Sequence, residues 1–286
     1  MNAPEPPRPK FDPWARRSWT DLGPRVASAL VLIVVTVIGL YLGSYAFAAL
    51  VGAIFAGCYR EWDRMVTLKP LTVVGGLLIG LVAVSALIYP LFGPLATIGL
   101  IAAACVVAAI AERETALWRI GGLAFFGLVV LAILAIRGVG TDGFLAGLFL
   151  GVVVWLTDTG AFFTGRLVGG ERLAPDISPG KTWSGALGGL AFGTLGGLLF
   201  WMLATGSPWW IGGLLAASIS ILGQLGDLAE SATKRRFRVK DSGDIIPGHG
   251  GLMDRLDSLT FAALLVFVVG LIHGGFGDVA TGFLRW

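Results

Sequence analysis

The chain has 286 residues, of which 56% are hydrophobic and 14% charged, with a net charge of +3 and a mean hydropathy of +0.82. Soluble domains carry roughly 25% charged residues, so the composition excludes a water-soluble globular protein and describes an integral membrane protein. Cys58 and Cys105 fall in different apolar segments at no metal-ligand or disulfide spacing, and each reads as a small buried hydrophobe.

Residues 1–25 are Pro-rich and polar, carrying Lys10, Arg16, Arg17 and Arg25. No small-residue cleavage site follows the next apolar run, so this reads as a cytoplasmic tail and not as a removed signal peptide. Apolar runs near the 20 residues needed to span lie at about 26–43, 44–58, 71–89, 94–111, 120–136, 143–165, 184–204, 208–226 and 258–273. An all-α polytopic protein with about nine transmembrane helices is expected. Only Gly43 and Ser44 separate the first two runs, which leaves open a tight helical hairpin or one bent re-entrant element. The 43 glycines suit this class, because glycine lets transmembrane backbones approach closely.

With a cytoplasmic N-terminus, every Lys and Arg of the 21 except Arg137 and Arg285 falls on the cytoplasmic side. The positive-inside rule then predicts that the C-terminus lies on the opposite side. The far side offers only short turns, such as YPLFGP at 89–94 and TGSPWW at 205–210, where Trp209 and Trp210 suit an interface. The expected organisation is an N-terminal transmembrane region, 26–142, and a catalytic region, 143–286, with cytoplasmic loops at 166–183 and 227–257. All sizeable polar surface is thereby cytoplasmic, which implies a water-soluble cytoplasmic substrate.

Three polar constellations converge on that face. Trp155, Asp158, Phe162 and Arg166 follow at three- and four-residue steps along one helical face. Asp158 lies deep enough in its apolar run to need a partner, either a structural Asp–Arg pair between helices or a ligand or metal. The second constellation is ERLAPDISPGKTWSG, residues 171–185. A nucleotide P-loop is rejected there, because Pro175 stands where the motif requires glycine. What remains is Ser178, Lys181 and Thr182 just ahead of a helix N-terminus, whose N–H groups favour anions.

The third constellation is the stretch from Gly226 to Ser258, with six acidic and six basic residues in an otherwise apolar chain. Asp227, Glu230, Ser231 and Lys234 share one face of a continuing helix, and Asp254, Asp257 and Ser258 share another. PGHGG, at 247–251, is a flexible turn between them. Hard oxygen ligands from separate elements suit Mg²⁺ or Mn²⁺ better than zinc. The six bases would meet phosphate charge. His249 reads as a phosphate hydrogen-bond donor, and His273 as an interfacial residue.

This stretch resembles the signature of the phosphatidate cytidylyltransferase (CDP-diacylglycerol synthase) family. The resemblance is carried by Ser231, Lys234, Arg235, Lys240, Asp241, Pro247 to Gly251, Asp254, Arg255, Asp257 and Ser258. It is supported upstream by Asp158, Gly165, Arg166, Ser178, Lys181, Thr182 and Trp183. Many relatives carry glutamate and lysine where this chain has Ser184 and Gly180.

The resemblance implies transfer of the cytidylyl group of CTP to phosphatidate, giving CDP-diacylglycerol and pyrophosphate. It implies that Asp227 and Asp254 hold Mg²⁺, with a second divalent ion or K⁺ nearby. Asp257 and Asp241 would be supporting or additional cation ligands. Lys234, Arg235, Lys240 and Arg255 would hold phosphate, assisted by Ser178, Lys181 and Thr182. The expected location is the cytoplasmic membrane. No nucleic-acid partner is expected, and small-residue helix faces are compatible with a homodimer. A CTP-dependent lipid kinase is the rival enzyme. A transporter is the rival from another class, disfavoured because the charges gather at one membrane edge.

Overall fold

In the computed structural model, residues 22–243 and 250–286 are described. The N-terminal tail before Leu22 and His249 lie outside them. Two compact units are distinguished, Met1–Thr36 and Val37–Trp286. The first holds the described start of α1 (Leu22–Leu42), and the second holds the end of α1 and everything after it.

The second unit continues with α2 (Ser44–Thr67), α3 (Val73–Leu87), α4 (Tyr89–Ala111), α5 (Ala116–Arg137) and α6 (Gly140–Leu167). After a two-stranded hairpin, β1 (Arg172–Ala174) and β2 (Ser178–Thr182), come α7 (Trp183–Ala204) and α8 (Trp209–Arg236). A 3₁₀ turn (Met253–Arg255) leads into α9 (Asp257–Gly274), and a short α10 (Val279–Leu284) closes the chain. The fold is all-α, with the hairpin as the one two-stranded sheet among the described residues. Among the described residues six helices, α4 to α9, are long and apolar enough to cross a membrane. The apolar stretch of α1 at 31–42 and helix α3 are shorter. The 15 residues of α3 reach about 22 Å at 1.5 Å per residue, against a hydrocarbon core of about 30 Å.

Each apolar run of the sequence falls in a helix, and three local features go beyond the expectation. First, α2 runs past its apolar run to Thr67, stopping at Leu68 in the left-handed conformation (φ 55). This carries Glu61 and Asp63 onto a helix whose last turns are buried. Second, the 89–94 turn is helical, and α4 kinks at Gly93 (φ 74) ahead of Pro94. Third, α10 buries Phe283 and Leu284 completely in the core. Gly43, at φ 59, divides α1 from α2, and a side chain there would strike the Arg137 guanidinium at 2.5 Å.

Two ion pairs lie apart from the charged loops. Arg119, fully buried, binds Asp63 through Nε at 2.7 Å, and its Nη1 lies 3.2 Å from Glu112. It is therefore an interior ion-pair partner. At the other end of the bundle Arg285 meets Asp142 at 2.6 Å.

The helices that will carry the site approach through glycine. A methyl at Gly193 of α7 would lie 2.1 Å from Thr157 Oγ1 of α6, and one at Gly189 would lie 2.8 Å from Thr157 O. Thr157 in turn bonds Ser220 of α8 at 2.9 Å. On the next pair, a methyl at Gly226 of α8 would stand 2.7 Å from Asp257 O of α9. Small residues thus seat α7 on α6 and α9 on α8 at near-backbone contact.

Gly193→Ala overpacks this interface and should cost about 1–3 kcal/mol. It is read as a fall in the thermal midpoint of the purified protein in detergent. Gly99→Ala, whose methyl meets nothing within 4 Å, should leave the midpoint unchanged or raise it. Equal midpoints for the two variants would contradict the packing of α6 on α7.

Candidate active site

Because successive helices alternate in direction, the C-terminal ends of α2, α6 and α8 and the N-terminal ends of α5, α7 and α9 gather at one end of the bundle. The charged residues of the sequence constellations meet there. The hairpin is fastened by Trp183 N–H to Glu171 O at 3.0 Å, and Arg172 Nη1 donates to Gly180 O at 3.2 Å. Ser178 opens β2 opposite Ala174, and Thr182 pairs with Arg172. Arg235 of α8 donates to Ile177 O at 3.3 Å, which docks the hairpin on the end of α8.

Two carboxylate–lysine pairs form the centre. Lys181, at the end of β2, places its ammonium 2.6 Å from Asp227 Oδ2, while the Ser231 hydroxyl donates to Oδ1 at 3.4 Å. Lys234, two turns further along α8, donates to Asp254 Oδ1 and lies 3.0 Å from Glu230 Oε1. Asp254 Oδ2 is met by the N–H groups of Gly251 at 2.8 Å and Ser242 at 3.0 Å, and by the Ser242 hydroxyl at 2.9 Å. Burial pushes the Asp254 carboxyl up. The Lys234 hydrogen bond and the two backbone N–H groups outweigh this and hold it down at about 2. Asp254 is thus ionised throughout the physiological range.

Further acids lie beside these pairs. Asp227, Glu230 and Asp158 all act electrostatically on Asp257 at the start of α9. Asp158, which needed a partner, accepts from the buried Ser258 hydroxyl at 3.3 Å. Ser258 N–H donates to Asp257 Oδ1 at 2.7 Å. Glu230 Oε2 is buried with no hydrogen-bond partner among the described residues. Asp158, Asp227, Glu230, Asp254 and Asp257 thus lie at the same end of the bundle as Lys181 and Lys234, although among the described residues no three of them are drawn together as a ready-made metal cage. Buried carboxylates of this kind need a cation, a proton or hydrogen bonds to balance them. The donors are all hard oxygens, which fits Mg²⁺.

Other expected site residues sit differently. Thr182 Oγ1 accepts from Gly185 N–H at 3.1 Å, so it caps the N-terminus of α7. Its relative exposure of 5% confirms that the hydroxyl is turned inward. Arg166 lies over the Phe162 ring at 5.5 Å. Arg255 and Lys240 are exposed on the same side of the fold. Asp241 lines a cleft of about 610 Å³ with Arg60, Arg64 and Lys69 at the end of α2, and not the space around Asp227. Behind α8 lies an apolar cavity of about 180 Å³, lined by Cys58, Trp62, Phe125 and Phe126, with Glu230 and Asp257 on its wall.

One buried acid, Glu61 of α2, was not singled out by the sequence. It accepts from Leu252 N–H and Met253 N–H, each at 2.8 Å, and from the Ser242 hydroxyl at 3.0 Å. The available signal was the charged run Arg60, Glu61, Asp63, Arg64 closing an apolar helix. Glu230 was visible in the helical spacing, but no role followed from spacing alone.

Fold and site together define a multi-span membrane protein whose polar chemistry is confined to one end of its helices. A family model described as the Cytidylyltransferase family matches residues 23–273, and the chain belongs to that family. A phosphatidate cytidylyltransferase of Brucella suis is 38% identical over 257 residues, covering 88% of this chain and 94% of that protein. The phosphatidate cytidylyltransferases of Bacillus subtilis and Staphylococcus haemolyticus are 40% and 43% identical over 149 and 148 residues. Each match covers 51% of this chain, with 55% and 56% of those proteins.

Thr182→Val removes the α7 cap and should cost about 1 kcal/mol of stability, whereas Thr182→Ser should retain it. Thermal denaturation in detergent separates the two. A Val variant as stable as the Ser variant would return Thr182 to the role of a substrate contact.

Proposed function

We propose that the protein transfers the cytidylyl group of CTP to phosphatidate, forming CDP-diacylglycerol and pyrophosphate for phospholipid synthesis. The observation that carries this reading is the pair of lysine-neutralised carboxylates, Lys181–Asp227 and Lys234–Asp254, set among three further acids at the bundle's end. The names of relatives matching nearly the whole chain supply the substrates.

An oxygen of the lipid phosphate attacks the α-phosphorus of CTP, and the bond to the bridging oxygen of the β-phosphate breaks, releasing pyrophosphate. The attacking phosphomonoester has a second pKa of about 6, so it is already largely ionised and needs no strong general base. The chain's task is in-line positioning and charge neutralisation. Asp227 and Asp254 would hold Mg²⁺, which supplies positive charge against the triphosphate. Asp257, Asp158 and Glu230 suit a second cation. Lys181 and Lys234, once exchanged from their carboxylates, would carry their charge to phosphate. Arg235, Arg255 and Lys240 extend that basic surface, with Ser178 and Ser231 as hydroxyl donors. His249, as a phosphate donor, belongs to the same proposal.

The proposed topology is nine membrane passes in the cytoplasmic membrane, with the N-terminus and the active site on the cytoplasmic side and the C-terminus opposite. Glycine-rich helix faces are compatible with a homodimer. The catalytic region would be 143–286, as α6 to α9 carry most of the charged centre.

With CTP labelled at the α-phosphate, label should enter lipid. With γ-labelled CTP it should not, and lipid labelled from the γ-phosphate would establish the kinase alternative. Chelation of divalent metal should abolish turnover. Asp227→Ala and Asp254→Ala should each lower kcat about 100-fold or more while the protein stays folded, as for loss of a transition-state electrostatic contact. Retained turnover in either would refute its place at the metal. A reporter fused after Trp286 and found in the cytoplasm would overturn the topology.

A further inference from the structure

Glu61 lies toward the end of α2, remote in sequence from the loop it touches, and its side chain is almost wholly buried with 2% exposure. Both of its oxygens serve the exit of that loop, and one of them serves the entry as well. Oε1 accepts from Leu252 N–H and Oε2 from Met253 N–H, each at 2.8 Å. These are orphan donors at the start of the 3₁₀ turn that carries Asp254. A carboxylate from another helix thus supplies the cap that the turn's own sequence lacks, since no side-chain cap exists at Leu252.

The same Oε2 lies 3.0 Å from Ser242 Oγ, and that hydroxyl is 2.9 Å from Asp254 Oδ2. Its single proton serves one carboxylate at a time, so Ser242 couples Glu61 directly to Asp254. Steric fit points the same way. A methyl at Gly243 would come 2.7 Å from Glu61 Cγ, and one at Gly251 would come 2.6 Å from Glu61 Oε2. Both described edges of the loop are therefore moulded to this one side chain, and two residues beyond the turn's end the chain enters α9 at Asp257.

We infer that Glu61 is a positioning residue of the active site: it fixes the entry and exit of the 242–253 loop and so sets Asp254 and Asp257 relative to α8. The inference rests on the cytidylyltransferase reading for its activity arm alone. Glu61→Gln keeps size and shape but offers one acceptor oxygen and turns an amide N–H₂ against a donor.

In the full-length protein in detergent, Glu61→Gln should exchange the Leu252 and Met253 amides for deuterium faster than wild type, with a thermal midpoint close to wild type. Its kcat should fall about 10- to 100-fold, as expected for a displaced catalytic group, and the Mg²⁺ concentration for half-maximal activity should rise. Ser242→Ala, which leaves the two Glu61 backbone bonds intact, should shift the Mg²⁺ requirement in the same direction by less. Should Glu61→Gln fail to fold, Ser242→Ala decides. Wild-type exchange and an unchanged Mg²⁺ requirement in the folded variants would overturn the inference, as would activity lost only in proportion to folded protein. If wild type itself forms no CDP-diacylglycerol, the functional reading fails while the exchange arm still tests Glu61.

Discussion

The structure is governed by one constraint: in an apolar chain every buried charge needs a partner, because water is not there to solvate it. Arg119, fully buried, is enclosed by Asp63 and Glu112. Arg285 is matched by Asp142 at the other end of the bundle. Around α8, Asp158, Asp227, Glu230, Asp254 and Asp257 gather with Lys181 and Lys234. On the proposed function, a metal bound with a polyanion would give these carboxylates and lysines separate partners of opposite sign.

The bundle reaches this arrangement through small residues. Gly189 and Gly193 let α7 lie against α6 beside Thr157, the neighbour of Asp158. Gly223 and Gly226 let α9 begin against α8, beside Asp227. Larger residues would move these helices apart by more than the tolerance of a shared hydrogen bond. The glycines that identify a membrane protein by composition are therefore also what brings the acids into one place. The hairpin adds the remaining piece, because β2 ends at the position from which Lys181 reaches Asp227.

Local pattern carried some of these features and not others. Helical spacing placed Asp227, Glu230, Ser231 and Lys234 on one face, and the Ser231–Asp227 and Lys234–Glu230 contacts follow from it. It also placed Asp257 and Ser258 at a helix start. It did not show the 172–182 hairpin, whose strands are short and interrupted by Pro179 and Gly180. Nor did it show α10, six residues long and held by packing and by hydrogen bonds from Ser207, His273 and Trp286, all outside it. Thr182 read as a ligand because a hydroxyl ahead of a helix can face outward to an anion or inward as a cap, and only the backbone turn decides. The family resemblance gave Asp241 as a supporting or additional cation ligand, and the fold sets it in a cleft beside the end of α2, with Arg60, Arg64 and Lys69.

What the sequence by itself determined is the class of the protein, the apolar helices and the identity of the charged residues at their ends. Composition, the 3.6-residue period and the sign of charge are properties of neighbouring residues. The tertiary structure alone decided which charge meets which. Lys181 meets Asp227, Lys234 meets Asp254, and Glu61 holds a loop from the far half of the chain. Those pairings depend on the register of packed helices, and side-chain contacts between elements distant in sequence leave no periodic trace along it.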